Sequence, residues 1–201
     1  MRAILMVLGF MAATTAFAGD VMTAPPSPPL SPSDVDSLSK ATFARTFSLG
    51  GLAGKLGETP LASFVAKARA GKIEAMSGNG VAMSWACYDM AGARAWLSVS
   101  DETGNGSSID TITIKPRDSA TSGSCAALAS PQAPAVDGAI RIGMTRADLI
   151  ARLGTPSKQK ADWLVFRANP PTKGGSFFTT VIVRIDNGKV AFIEASNTSA
   201  D

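Results

Sequence analysis

No histidine occurs among the 201 residues. The commonest general base near neutral pH and the commonest metal ligand are therefore both missing. Serine and threonine are plentiful, but no Gly-x-Ser-x-Gly elbow offers an activated hydroxyl. Asp101 and Glu102 are adjacent carboxylates, and neighbours on a strand point to opposite faces, so the pair reads as loop solvation rather than as an acid/base couple. Asp101, Thr103 and Asn105 place oxygens at the first, third and fifth positions of a calcium-type loop, with Gly106 at the sixth. Ile112 stands where the bidentate glutamate belongs, so this stretch reads as a hairpin connection. No catalytic residue, metal ligand or cofactor is expected. What remains is one pair of thiols, Cys87 and Cys125, and a set of aromatics. Trp85 and Trp163 read as core. Tyr88 and Trp96 are expected on a solvent-facing side of a sheet. Phe177 and Phe178 follow the glycine-rich Lys173 to Ser176, and adjacent strand residues alternate, so one ring must leave the buried face. Tyr88, Trp96, Phe177 and Phe178 are the candidate protein-contact surface, against the alternative of a second layer of core.

The fate of the thiols depends on compartment, which the amino terminus addresses. Arg2 precedes an apolar run, Ala3 to Ala13, that is too short for a stable bilayer span, and Ala16-Phe17-Ala18 supplies a small-x-small cleavage pattern. A signal peptide cleaved after Ala18 and a periplasmic or secreted product are expected. Position 19 is Gly, so no lipid anchor is expected there, and no later segment is apolar enough to span a membrane. An oxidising compartment favours a Cys87–Cys125 bridge. In the chain-entropy account that closure contributes about 3 to 4 kcal/mol. Lys and Arg total 19 against 16 Asp and Glu, and they are scattered, so no basic stripe suited to nucleic acid forms.

Residues 19–33 are rich in proline and read as an extended, flexible tether. Thr59-Pro60 opens a helix with Leu61, Phe64, Val65 and Ala68 on one face and Gly71 as its stop. Thr145, with Asp148 three residues on, opens a second that carries Leu149, Ile150 and Leu153 and stops at Gly154 and Pro156. Alternating strands follow each helix: 81–88, 94–100 and 109–114 in the first half, then 163–167, 179–185 and 190–195 in the second. Asp186-Asn187-Gly188-Lys189 signals a tight hairpin. The order suggests a tandem α+β repeat, short helices packed on an antiparallel β-meander, with units at 34–115 and 140–201 and a linker at 116–139. If the halves are unrelated, one continuous α+β domain is the alternative.

Ile140 to Thr145, Leu149-Ile150, Leu153 to Pro156, Trp163 to Phe166 and Val183 to Val190 together resemble the SmpA/BamE family of envelope proteins. The likeness covers roughly the last 60 residues; in the first half it rests on Gly57-Glu58-Thr59, Gly71 and Trp85 to Tyr88. The resemblance implies the fold of the β-lactamase inhibitory protein and the role of a small interaction module. Relatives of that family are anchored by an acylated cysteine that this chain lacks after its cleavage site. The expected function is a soluble, exported, non-catalytic protein-binding or scaffolding module of the bacterial envelope, with another envelope or extracellular protein as partner. The alternatives are an inhibitor of an extracellular hydrolase, acting through Lys173 to Phe178, and, more remotely, an enzyme using carboxylate chemistry. Thiol titration of the unfolded, unreduced protein should find no reactive thiol; two would exclude the bridge.

Overall fold

The computed structural model describes residues 23–30, 35, 43–78, 81–101, 106–117, 124–168 and 177–199. The expected signal peptide, most of the calcium-type loop and Lys173 to Ser176 lie outside the described residues. Among the described residues, twelve strands and two helices occur in the order β1 (Thr46–Leu49), β2 (Leu52–Lys55), α1 (Leu61–Ala68), β3 (Glu74–Gly78), β4 (Val81–Met90), β5 (Ala93–Ser100), β6 (Thr111–Pro116), β7 (Ala126–Ala127), β8 (Ala135–Val136), α2 (Arg146–Leu153), β9 (Lys158–Lys160), β10 (Trp163–Ala168), β11 (Phe177–Asp186) and β12 (Lys189–Ser199).

The six strands expected from alternation are all present, as β4, β5, β6, β10, β11 and β12. Asn187 and Gly188 turn the last hairpin with φ of 49° and 74°, the positive values that a primed two-residue turn requires. Thr145 caps α2, its hydroxyl accepting from the Asp148 amide at 3.1 Å. At α1 the capping differs from expectation. Pro60 itself is the N-cap, without a side-chain cap, because the Thr59 hydroxyl accepts from the Lys55 amide at 2.9 Å.

The architecture corrects the expectation of a tandem α+β repeat. Strand dominates, and the helices are two short pieces of eight residues each. The strands β3 to β6 and β9 to β12 do not form separate units. They join through antiparallel pairing of β6 with β12 into a nine-stranded sheet ordered β3-β4-β5-β6-β12-β11-β10-β9, with β7 added in parallel beside β4. A three-stranded sheet, β2-β1-β8, is the second layer. The segment between the halves thus supplies strands to both sheets, since β7 pairs with β4 and β8 with β1.

Strand alternation sends one set of side chains from every long strand into a single core. Ala86 and Tyr88 of β4, Ala95 and Leu97 of β5, Ile112 and Ile114 of β6, Ile193 and Ala195 of β12, Val181 and Val183 of β11 and Leu164 and Phe166 of β10 meet there. Leu61 and Phe64 of α1, Leu149 and Leu153 of α2, and Phe47, Leu49 and Val136 of the small sheet cover them. Helices this short do not persist alone, so burial against the sheet is what holds them.

Gly54 marks the tightest approach. It pairs with Phe47 across β1 and β2, and a Cβ placed on it would lie 2.2 Å from the Phe47 ring. That ring in turn packs on Phe64 at 5.6 Å. Gly54→Ala should therefore push Phe47 off α1 and cost about 1–3 kcal/mol in denaturant unfolding. Gly78→Ala, where nothing lies within 4 Å, should stay within about 0.5 kcal/mol. Equal losses in both would refute the overpacking account.

Candidate functional site on the outer face of the large sheet

The second set of alternating side chains forms the outer face, and register arranges it in rows across the strands. One row runs Cys87, Trp96, Thr113, Glu194, Ile182, Val165 over β4, β5, β6, β12, β11 and β10. The next runs Trp85, Ser98, Thr111, Ser196, Thr180, Arg167. On the opposite flank, Arg94 pairs with Lys115, and Arg184 lies between Trp163 and Phe192. The outer face is therefore hydroxylic on one side of the central row and cationic-aromatic on the other.

Along the central row lies the proline-rich segment. The Trp96 indole N–H donates to the Thr23 carbonyl at 2.9 Å. Pro25, Pro26 and Ser27 border a hollow shared with Thr113 and Glu194, and Pro26 and Ser27 border another shared with Trp163, Arg184 and Phe192. Leu30 is buried with Val165 and Ile182. Seven residue steps of polyproline-like chain cover about 22 Å. The four gaps from β5 to β10 measure about 19 Å. The described part of the expected tether, 23–30, is thus a strap laid across five strands.

The disulfide pins another part of this face. Cys87 and Cys125 are bonded, with Cα atoms 5.0 Å apart, which holds β7 beside β4. Cys87, Trp85 and Trp96 form a small buried cluster around it. Nearby, Arg94 and Asp89 make a buried bidentate pair at 2.7 and 3.0 Å.

The four candidate contact aromatics are not brought together. Tyr88 belongs to the inner core, where it meets Phe64 edge-on at 6.1 Å and its hydroxyl donates to the Ala70 carbonyl at 3.3 Å. Burial pushes its phenol up to about 12. Trp96 lies on the outer face but is fully buried under the strap. The expectation of exposure for both is corrected: Tyr88 pairs with Ala95 and Trp96 with Cys87, which puts the two rings on opposite faces, and both faces are covered there. Phe177 and Phe178 are half-buried, and Arg167 stacks 3.9 Å from the Phe178 ring.

Two carboxylates absent from the sequence-based expectations share one hollow of about 240 Å³ with Ser98, Thr111 and Thr113. Asp110 is buried and accepts from the Ser100 amide at 2.5 Å. Glu194 is raised to about 7, first by desolvation and then by the neighbouring Asp110 charge. The available signal was Glu194 in outward phase between the apolar Ile193 and Ala195, together with the threonines of Thr111-Ile112-Thr113-Ile114 on the same face. Beside this hollow, buried Trp85 Nε1, Ser98 Oγ and Thr180 Oγ1 lack hydrogen-bond partners among the described residues. Such atoms cost about 1–3 kcal/mol each until something meets them. Among the described residues no group of three or more Cys, Asp or Glu side chains could hold a metal ion, and no helix is long and apolar enough to cross a membrane.

A carboxyl raised from 4.5 to about 7 binds its proton more tightly folded than unfolded, so its contribution falls as pH rises through that window. The full loss is about 3 kcal/mol at most. Glu194→Gln should flatten the decline in unfolding free energy between pH 4.5 and 7 and make the variant the more stable protein at pH 8. An unchanged slope would show that Glu194 is not the group responsible. No protein-family model matches this chain, and searches of the curated proteins and of the solved structures return no match.

Proposed function

We propose that this chain is an exported, non-catalytic protein-binding module of the bacterial envelope, periplasmic or secreted, and that the outer face of its large sheet receives an extended segment of a partner protein. The observation that carries the reading is the strap. A face that lodges Thr23 to Leu30 across five strands, through the Trp96 indole hydrogen bond to the Thr23 carbonyl, proline contacts and a buried leucine, has the chemistry to hold an extended peptide. The unpartnered polar atoms beside it supply hydrogen-bonding capacity that the strap does not use. The disulfide suits an oxidising compartment, and the signal-peptide pattern at Ala16 to Ala18 agrees with it. The resemblance of Ile140 to Val190 to SmpA/BamE proteins, a matter of residues at helix and strand ends, belongs to the same reading.

One observation favours a second reading. Asp110 and Glu194 line a common hollow, and a carboxyl raised to about 7 is poised for proton transfer near neutral pH, so carboxylate catalysis is the competing role. A panel of hydrolase substrates separates the two, since turnover lost in Glu194→Gln would favour the enzyme.

Photo-crosslinking tests the primary reading directly. A benzoylphenylalanine at Arg184, exposed on the outer face, should capture a discrete partner from envelope extract, whereas the same group at Ala147 on the exposed side of α2 should not. Equal capture at both positions, or none at Arg184, would overturn it.

A further inference from the structure

We propose that the hollow between the strap and the junction of β6 and β12 recognises an organic cation, an ammonium or guanidinium group, through Asp110, Glu194 and the hydroxyl of Ser98. Where that cation is a partner's lysine or arginine side chain, the inference rests on the binding-module reading; where it is a free amine, it stands alone.

Among the described residues the hollow is lined by acceptors and by no cation. Asp110 and Glu194 are its charged lining groups among the described residues, and Ser98, Thr111 and Thr113 are hydroxyls able to accept. Ser98 is 4% exposed, its Oγ has no partner among the described residues, and it lines the same hollow. No side-chain hydrogen bond or ion pair among the described residues reaches the Glu194 carboxylate, while Asp110 is held in place by the Ser100 amide. The described cations of this face are not among its lining residues: Lys115 lies over the Trp96 ring at 5.7 Å, Arg184 over Trp163 at 5.9 Å and Arg167 over Phe178 at 3.9 Å, while Arg94 pairs with Asp89 at 2.7 Å. Pro25, Pro26 and Ser27, which line the site from the strap, carry no titratable side chain.

Size and wall chemistry narrow the class. A volume of about 240 Å³ lies below the usual range for drug-sized ligands and suits one side-chain terminus or a small amine. Met83 and the rings of Pro25 and Pro26 provide an apolar wall for a methylene stem. A divalent metal fits less well, because no trio of Cys, Asp or Glu side chains that could hold one occurs among the described residues. Desolvation beside a second carboxylate holds Glu194 up to about 7, and an incoming cation reverses both effects by favouring the ionised form. Binding and ionisation are thereby linked.

Calorimetric titration of the purified chain at pH 8 would use Nα-acetyl-lysinamide, Nα-acetyl-argininamide, cadaverine, uncharged Nα-acetyl-norleucinamide, the peptide acetyl-Pro-Pro-Lys-Pro-amide, and calcium chloride. The charged probes should bind and the norleucine analogue should not. Glu194→Gln should weaken binding at least tenfold, and Ser98→Ala should weaken it about threefold. A carboxyl-labelled NMR titration of the unmutated chain should show the Glu194 pKa falling by about one unit under saturating amine, as a tenfold preference for the ionised form requires. Binding by free amines assigns a small-molecule source; binding by the peptide alone assigns a partner's side chain. Norleucinamide binding as well as lysinamide, unchanged affinity in Glu194→Gln, calcium as the sole binder, or no binding by any probe would each overturn the proposal. Amine binding without an Arg184 crosslink would leave the cation site standing and remove the binding-module reading.

Discussion

The pairing of β6 with β12 is the constraint from which the rest of the molecule follows. Four residue pairs, Ile114 with Ile193, Thr113 with Glu194, Ile112 with Ala195 and Thr111 with Ser196, weld two antiparallel meanders into one sheet. Because a strand alternates its side chains, the weld sorts chemistry by face. The isoleucines and Ala195 enter the common core, whereas the threonines, Glu194 and Ser196 emerge on the other side. A slip of one residue would place Glu194 among the core aliphatics and the isoleucines outside, a loss far larger than any single turn or cap could offset.

The inner face is closed in the ordinary way, by two short helices and a three-stranded sheet whose apolar residues interdigitate with it. The outer face is closed differently. It carries a disulfide, a bidentate Asp89–Arg94 pair, stacked cations and a proline-rich strap rather than a second hydrophobic layer. Proline suits that position because it has no amide hydrogen to satisfy, so an extended segment can cross a sheet with few unmet donors. Polar groups beneath it are less well served, and the raised Glu194 and the Ser98 and Thr180 hydroxyls, without partners among the described residues, record that shortfall. Buried polar atoms of this kind are uncommon in a settled core, which is why the outer face is the candidate functional side.

Much of the local structure was legible from residue patterns. The six long strands appear as alternating runs, the Thr145 cap and the Asn187-Gly188 turn as short-range chemistry, and the Cys87–Cys125 bridge as the only pairing two cysteines allow. The short strands β1, β2, β3, β7, β8 and β9 were not legible, because two to five residues carry no periodicity and only neighbours define them. The candidate site was not legible either. Asp110 and Glu194 are 84 positions apart in sequence, and they meet only because β12 chose β6 as its partner.

The sequence by itself determined which residues alternate, where chains turn, that none of the 201 residues is a histidine, and which cysteines can bond. These are properties of residues and their near neighbours. Only the tertiary structure decided that the helices would be minor, that the two meanders would share a sheet and a core, that Tyr88 and Trp96 would be buried on opposite faces, and that residues 23–30 would lie across the sheet instead of standing away from it. Each of those outcomes depends on strand order and on contacts between distant segments, and alternation is silent about which strand comes to lie beside which.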